Sequence, residues 1–416
     1  MNSLLLRISI AFVILIAISG CRFFSKLMDE KEVIPEEKEN VVIEDIPKRR
    51  AMDTLLVRQL WISETYPDRA ADVKEKPAAT EKAKNMGFTD TTTVKRSGFN
   101  GNSVFVEKRG TLRSYFSKED LSAITELKIE GEVDSRDLMF ICPNMPNLVF
   151  LDLKDCKIEN RTIPEYFFYA DKKENNLEKI ILPDNLEVIG RSAFSMCKKL
   201  KGDLIIPKSV RIIGYGAFYI CSGFTGKLEI PEGVKEIGSW AFFRCSGFTG
   251  QLELPQGLTV IGDHAFSNCQ GFTGPLTIPE HIVTIQDASF AYCKGLNSEL
   301  KLPANLVNIE DHAFSNCSGI SGNLVIPVSV KTIGLFAFNG CTNITGELDI
   351  PVGVRTIGFK AFSQCSGLSA IKVKWEEPIL YGSEMFPPRA KVLVPKSQIS
   401  RYNATEGWKN HNIEGF

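Results

Sequence analysis

The sequence predicts a strand-rich repeat solenoid of the α/β type, in which short strands alternate with short helical or 3-10 turns. Two periodicities carry that expectation. Cysteines stand at Cys197, Cys221, Cys245, Cys269, Cys293, Cys317, Cys341 and Cys365, each 24 residues from the last. Eight prolines (Pro183 to Pro351), eight isoleucines (Ile189 to Ile357) and eight phenylalanines (Phe194 to Phe362) keep the same period without a slip. Within a unit, apolar and polar residues alternate as in a strand with one buried face, as at Lys227-Leu228-Glu229-Ile230. A fixed period of this length marks a stack of one supersecondary unit, not a globular enzyme core.

The first element is an export signal. Arg7 supplies positive charge, and Ile8 to Ile18 forms an apolar run too short to span a bilayer comfortably. Ile18-Ser19-Gly20-Cys21 resembles the lipobox of bacterial lipoproteins. That resemblance implies removal of residues 1–20 and acylation of Cys21, which would tether the chain to a membrane without embedding it. An ordinary signal peptide with a coincidental cysteine is the competing reading. Arg22 stands where an inner-membrane retention aspartate would be, and Asp29, Glu30 and Glu32 resemble the surface-export signals of some Bacteroidetes lipoproteins. The expected location is the bacterial cell envelope, at the outer membrane and facing outward.

Residues 21–107 read as a flexible tether. They carry charge runs such as Glu36-Glu37-Lys38-Glu39, a Lys/Glu/Ala/Pro-rich stretch from Lys74 to Lys84, and one apolar patch from Leu55 to Ile62. A coil of this length has an r.m.s. span of roughly 50 Å. The formal net charge of the whole chain is −1, so nothing points to nucleic acid.

The repeat follows. In one unit Leu228 and Ile230 form the buried side of a strand, and Pro231 ends the ladder because it has no N–H to donate. Val234 and Ile237 turn inward, Gly238 permits a turn, Ala241-Phe242 packs a small and a large side chain, and Cys245 closes the unit. Stacking buries these positions as continuous spines, and one unit could not fold alone. Rungs about 4.8 Å apart make eight units roughly 40 Å long.

Leu148 to Ile158 fits the leucine-rich repeat consensus LxxLxLxxCxL, and Leu177-xx-Ile180-x-Leu182 and Leu368-xx-Ile371-x-Val373 keep its spacing. Together with the proline, Ile-Gly, Ala-Phe and cysteine columns, this resembles the BspA-like class of leucine-rich repeats, common in bacterial surface proteins. The resemblance covers about Gly110 to Phe416 and implies a right-handed superhelix. It sets an N-terminal cap at 108–172, carrying Ile124, Leu127, Ile129, Asp137 and Leu138, and eight repeats at 173–368. A C-terminal cap at 369–416 carries Val394-Pro395-Lys396, Tyr402 and Gly407-Trp408-Lys409.

Candidate chemistry is sparse. The cysteine column lacks the spacing of a zinc site, and equivalent side chains in a solenoid point the same way, which disfavours disulfides and favours a buried thiol ladder. Cys142 and Cys156 lie outside the ladder and are the better candidates for a bridge. Asp263, Asp287 and Asp311 share a column and are expected to cap the turns that follow them rather than hold Ca²⁺. His264 and His312 stand two rungs apart, roughly 10 Å, too far to share a metal. The expectation is a non-catalytic chain with no metal and no cofactor.

Two surfaces remain. The strand face carries Asp203, Lys227, Glu229, Gln251, Glu253, Thr277, Glu299, Lys301, Asn323, Glu347 and Asp349, either solvated or a docking face. The edge around the Ala-Phe turn carries Tyr215, Tyr219, Trp240, Phe243, Tyr292, Phe336 and Phe359 at positions where other repeats hold small or polar residues. Exposed aromatics at such positions make binding hot spots. The expected role is adhesion or protein–protein interaction, with host or bacterial surface proteins as partners and the membrane reached through the lipid anchor alone. Glycan binding and a structural envelope role are the alternatives.

Overall fold

The computed structural model describes residue 99 and residues 101–169, 175–379 and 384–416. The export signal, Cys21 and residues 21–98 of the expected tether lie outside the described residues.

Each coil has three sides. On the first, Leu228–Glu229 runs parallel to Leu204–Ile205, and Leu276–Thr277 to Leu300–Lys301. Leucines face the core while their neighbours face water, the alternation expected of a half-buried strand. On the second side Glu236–Ile237 pairs in parallel with Ile212–Ile213 below and Val260–Ile261 above. The offset across every such pair is 24 residues, so each isoleucine rests on its equivalent. A second run of the same kind joins Thr284–Ile285, Asn308–Ile309, Thr332–Ile333 and Thr356–Ile357.

The third side is the Ala-Phe turn. Its i→i+3 hydrogen bonds, such as Ala241 N–H to Gly238 O at 3.2 Å and Cys245 N–H to Phe242 O at 3.1 Å, are of the 3-10 type the sequence suggests. The run does not wind into a helix, because two residues per coil take left-handed φ: Trp240 (63°) and Arg244 (56°), then His264 (54°) and Asn268 (63°). These are non-glycine residues in a sparsely populated region. The reversals turn alternate N–H groups along the solenoid axis. Trp240, Phe242 and Arg244 donate to Asp263 O, Ala265 O and Ser267 O of the next coil at 2.8, 2.8 and 2.9 Å. Bonds between coils thus stabilise a conformation that an isolated turn would avoid.

The core is a set of columns. Phenylalanines 194 to 362 stack ring on ring along the axis, for example Phe218 on Phe242 at 5.5 Å and 5°. A second column joins Phe224, Phe248 and Phe272. All eight ladder cysteines are buried and free, and so is Cys156, whereas Cys142 is half-buried and free. No bridge joins Cys142 to Cys156. The ladder thiols do more than fill space. Each donates to the phenylalanine carbonyl of the preceding coil, as Cys245 Sγ does to Phe218 O at 3.0 Å and Cys317 Sγ to Phe290 O at 2.9 Å.

Both ends are closed. Strand Ser103–Val106 lies N-terminal to residue 108, where the sequence reading begins the cap, and pairs in parallel with Glu126–Val133. Helix α1 (Lys118–Ala123) starts at a capping box between Ser117 and Asp120, and α2 (Ser135–Asn144) at one between Asp134 and Asp137. At the far end Tyr402 and Trp408 are fully buried. Their polar atoms donate to Trp375 O (3.0 Å) and Ile379 O (2.8 Å).

Candidate functional site: the aromatic edge and the strand face

The left-handed turns place their side chains on the third side of the solenoid, in columns that the core does not fill. There the structure gathers the expected aromatics into two clusters. In the first, Tyr219 stacks on Phe243 (5.2 Å, 11°) and Trp240 on His264 (4.1 Å, 19°), while Trp240 meets Phe243 edge-on at 4.7 Å. In the second, Phe336 stacks on His312 (5.0 Å, 7°) and meets Phe359 edge-on at 5.4 Å. Tyr292 belongs to neither and is 40% exposed.

Stacked partners sit on different coils, so the contact runs along the solenoid axis. One face of each stacked ring is therefore covered by its partner. Cations cover further faces: Arg191 lies 4.6 Å over Tyr215, Arg244 5.3 Å over Phe243 and Lys360 4.9 Å over Phe359. Arg191 and Arg244 are exposed, and neither has a carboxylate partner among the described residues.

The column of Asp263, Asp287 and Asp311 follows directly. Asp311 reaches beyond the turn that follows it. Its Oδ1 accepts from the N–H of Leu335 in the next coil at 2.7 Å. No cluster of ligands for a metal ion occurs among the described residues.

The strand face is as the sequence implies: Lys227, Glu229, Gln251, Glu253, Glu299 and Lys301 are all exposed. It also carries two apolar residues that the reading passed over, Ile205 and Val325, 66% and 65% exposed. On the aromatic edge, Tyr166 and Tyr169 were missed. They occupy the columns of Trp240 and Phe243 two coils before Tyr219, 5.6 Å apart and edge-on. The signal was present: Ile163 precedes Phe168 by the same five residues that separate Ile189 from Phe194.

Burial pushes Cys197 and Cys365 up to about 12, the opposite of an activated cysteine.

Comparison with known proteins agrees with the repeat. The family profile described as BspA type Leucine rich repeat region matches residues 161–297 and 273–386, in six copies. A leucine-rich repeat protein from Bacteroides ovatus is 29% identical with a TM-score of 0.51. The alignment covers 59% of this chain and 63% of that one, so less than two thirds of the relative is matched. A leucine-rich repeat protein of T. pallidum is 28% identical over 41% of this chain and 80% of its own, with a TM-score of 0.35. A leucine rich cell surface protein from Faecalibacterium prausnitzii is 21% identical over 76% of this chain and 83% of its own, with a TM-score of 0.30. No match was found among curated proteins.

Proposed function

This chain belongs to the BspA-type leucine-rich repeat family, and from that premise we propose that it is a lipid-anchored cell-surface protein that holds a protein partner against its aromatic edge. No chemical step is part of this reading. Affinity comes from a preformed array whose side chains lose little freedom on binding.

The observation that carries it is the orientation of the rings. A sugar stacks on an open aromatic face, whereas Trp240 is stacked on His264, Tyr219 on Phe243, and Tyr215 lies under Arg191. Covered ring faces beside the exposed Arg191 and Arg244 guanidinium groups suit the carbonyls, carboxylates and apolar side chains of a protein surface. Anchoring through Cys21 and outward display rest on the lipobox resemblance; adhesion to host or bacterial surface proteins rests on the family.

The test is a screen of the full chain against an array of matrix proteins, bacterial surface proteins and glycans, beside a Trp240→Ala, Phe243→Ala variant. Protein hits that the variant loses by about tenfold or more support the reading. Glycan hits lost in the same way, or protein hits untouched by the variant, refute it.

A further inference from the structure

We propose that His264 and His312 make the aromatic edge responsive to protons, so that acidification turns it toward partners with acidic surfaces. The inference rests on the protein-binding reading of that edge and adds its regulation.

The observation is an arrangement that occurs twice. Of the four histidines in the chain, two occupy one column of the third side, both at a left-handed φ of 54°. Each lies flat against an aromatic ring of a neighbouring coil: His264 against Trp240 of the coil before it (4.1 Å, 19°), and His312 against Phe336 of the coil after it (5.0 Å, 7°). His264 also meets Phe243 edge-on at 6.3 Å. Both aromatic clusters therefore contain an imidazole, the side chain whose charge ordinarily changes between about pH 5 and about pH 8. When neutral, the imidazole is a plain stacking partner. When protonated, it is a cation on an aromatic face, and Trp is the best such face.

The surrounding charges set the effect of that proton. On its own coil His264 follows Asp263, and its N–H donates to the carbonyl of Asp287 on the next coil at 2.8 Å. The coil before it contributes Arg244, which lies 5.3 Å over Phe243. His312 follows Glu310 and Asp311, and Asp311 holds Leu335 N–H of the next coil at 2.7 Å. The coil before His312 contributes Asp287, Tyr292 and Lys294, and Lys360 stands two coils on in its column. Around the two histidines the carboxylates of Asp263, Asp287, Glu310 and Asp311 thus outnumber the cations Arg244 and Lys294. With neutral histidines this stretch of the edge repels an acidic surface, and two added positive charges offset that repulsion.

A protonated imidazole quenches the emission of an indole it touches, so Trp240 reports directly on His264. The experiment is a pH titration of the fluorescence of the full chain in detergent, with the signal of Trp240→Phe subtracted to remove the other tryptophans. The proposal expects Trp240 emission to fall in one sigmoidal step between about pH 7.5 and about pH 5.5, and the step to vanish in His264→Gln. In the array screen run at both ends of that range, acidic protein hits gain about threefold or more at the lower pH, and the double variant His264→Gln, His312→Gln loses the gain. Trp240 emission that is flat with pH, a step that survives His264→Gln, or protein hits equally strong at both pH values overturns the proposal. The flat or sloping titration of the native chain needs no histidine variant, so it decides even where His264→Gln fails to fold. An absence of protein hits at both pH values refutes the protein-binding reading instead, whatever the titration shows.

Discussion

The side chain of Arg211 lies over Gly233 in the next coil, and its Nη1 overlaps the space a Cβ at Gly233 would fill. Nη1 donates to Lys208 O at 3.1 Å and Val210 O at 3.2 Å. One coil earlier the residue in Arg211's column is Glu187, which does not reach over. There Ser209, in the column of Gly233, donates its hydroxyl to the equivalent carbonyls, Asp184 O at 2.7 Å and Leu186 O at 2.6 Å. Lys235 over Gly257 and Lys331 over Gly353 repeat the first arrangement, and Ser329 on Ala304 O and Leu306 O repeats the second. The same carbonyls are thus satisfied in one coil by Arg211 from below, with glycine above it, and in others by a serine from above.

Gly233→Ser alone should therefore destabilise, because the new side chain displaces Arg211; the expected loss is about 1 kcal/mol. Arg211→Glu with Gly233→Ser recreates the Glu187–Ser209 arrangement and should recover most of it. A double-mutant cycle by urea denaturation measures the coupling. Additive losses would show that the two residues do not share this space.

The cysteine column behaves as a ladder of donors. Cys269 Sγ donates to Phe242 O at 3.0 Å, and burial raises its thiol well above the usual range. Cys269→Ala removes both the donor and buried volume and should cost about 1–3 kcal/mol. In the folded protein at pH 8, alkylation followed by peptide mass mapping should find the ladder cysteines unmodified. Cys142, half-buried and pushed up to about 11, should react slowly. Fast labelling of Cys245 or Cys269 without denaturant would contradict the packing.

The spines were legible in the sequence because burial demands the same residue types at Ile237, Phe242 and Cys245 in every coil, and repetition makes that demand visible. The aromatics of the edge were legible for the opposite reason: Trp240 and Phe243 sit in columns where other repeats carry Ser or Ala, so no core requirement explains them. The left-handed turns were not legible. Glycine marks them at Gly216 (56°) and Gly340 (80°), but Ile220 (56°), Trp240 and His264 adopt the same region with no compositional sign. Their conformation is fixed by hydrogen bonds from other coils, which a single repeat does not encode. For the same reason the bond from Leu335 N–H to Asp311, 24 residues away, was not legible.

His411 makes the C-terminal cap sensitive to acid. Both imidazole nitrogens are buried without a hydrogen-bond partner among the described residues, and the ring packs on Phe386 at 5.6 Å. Burial lowers its pKa below 6.5, so between that value and the folded pKa the unfolded chain binds the proton and the folded one does not. Its contribution is present above pH 6.5 and is lost as pH falls through the folded pKa. Melting temperature should drop between pH 7 and pH 5 in the native chain, and His411→Phe should flatten that slope. An unchanged slope would assign the acid sensitivity to other groups.

Asp137 ties α2 to the turn at Gly110 and to the 3-10 segment Leu112–Tyr115 that follows it. Its two oxygens accept from Gly110 N–H (2.7 Å), Leu112 N–H (2.9 Å) and Asp134 N–H (3.1 Å), and the residue is 3% exposed. Burial raises its pKa despite those donors, so the charge is held in place by three backbone groups that have no other use for it. Asn keeps the shape but offers one accepting oxygen and turns an NH₂ toward at least one N–H. Asp137→Asn should therefore lose about 2 kcal/mol, comparable to Asp137→Ala. Hydrogen exchange gives the sharper readout: amides of residues 103–112 should lose protection while those of the repeat coils around Phe242 keep theirs. Uniform loss across the chain would mean that the cap and the repeats unfold as one unit.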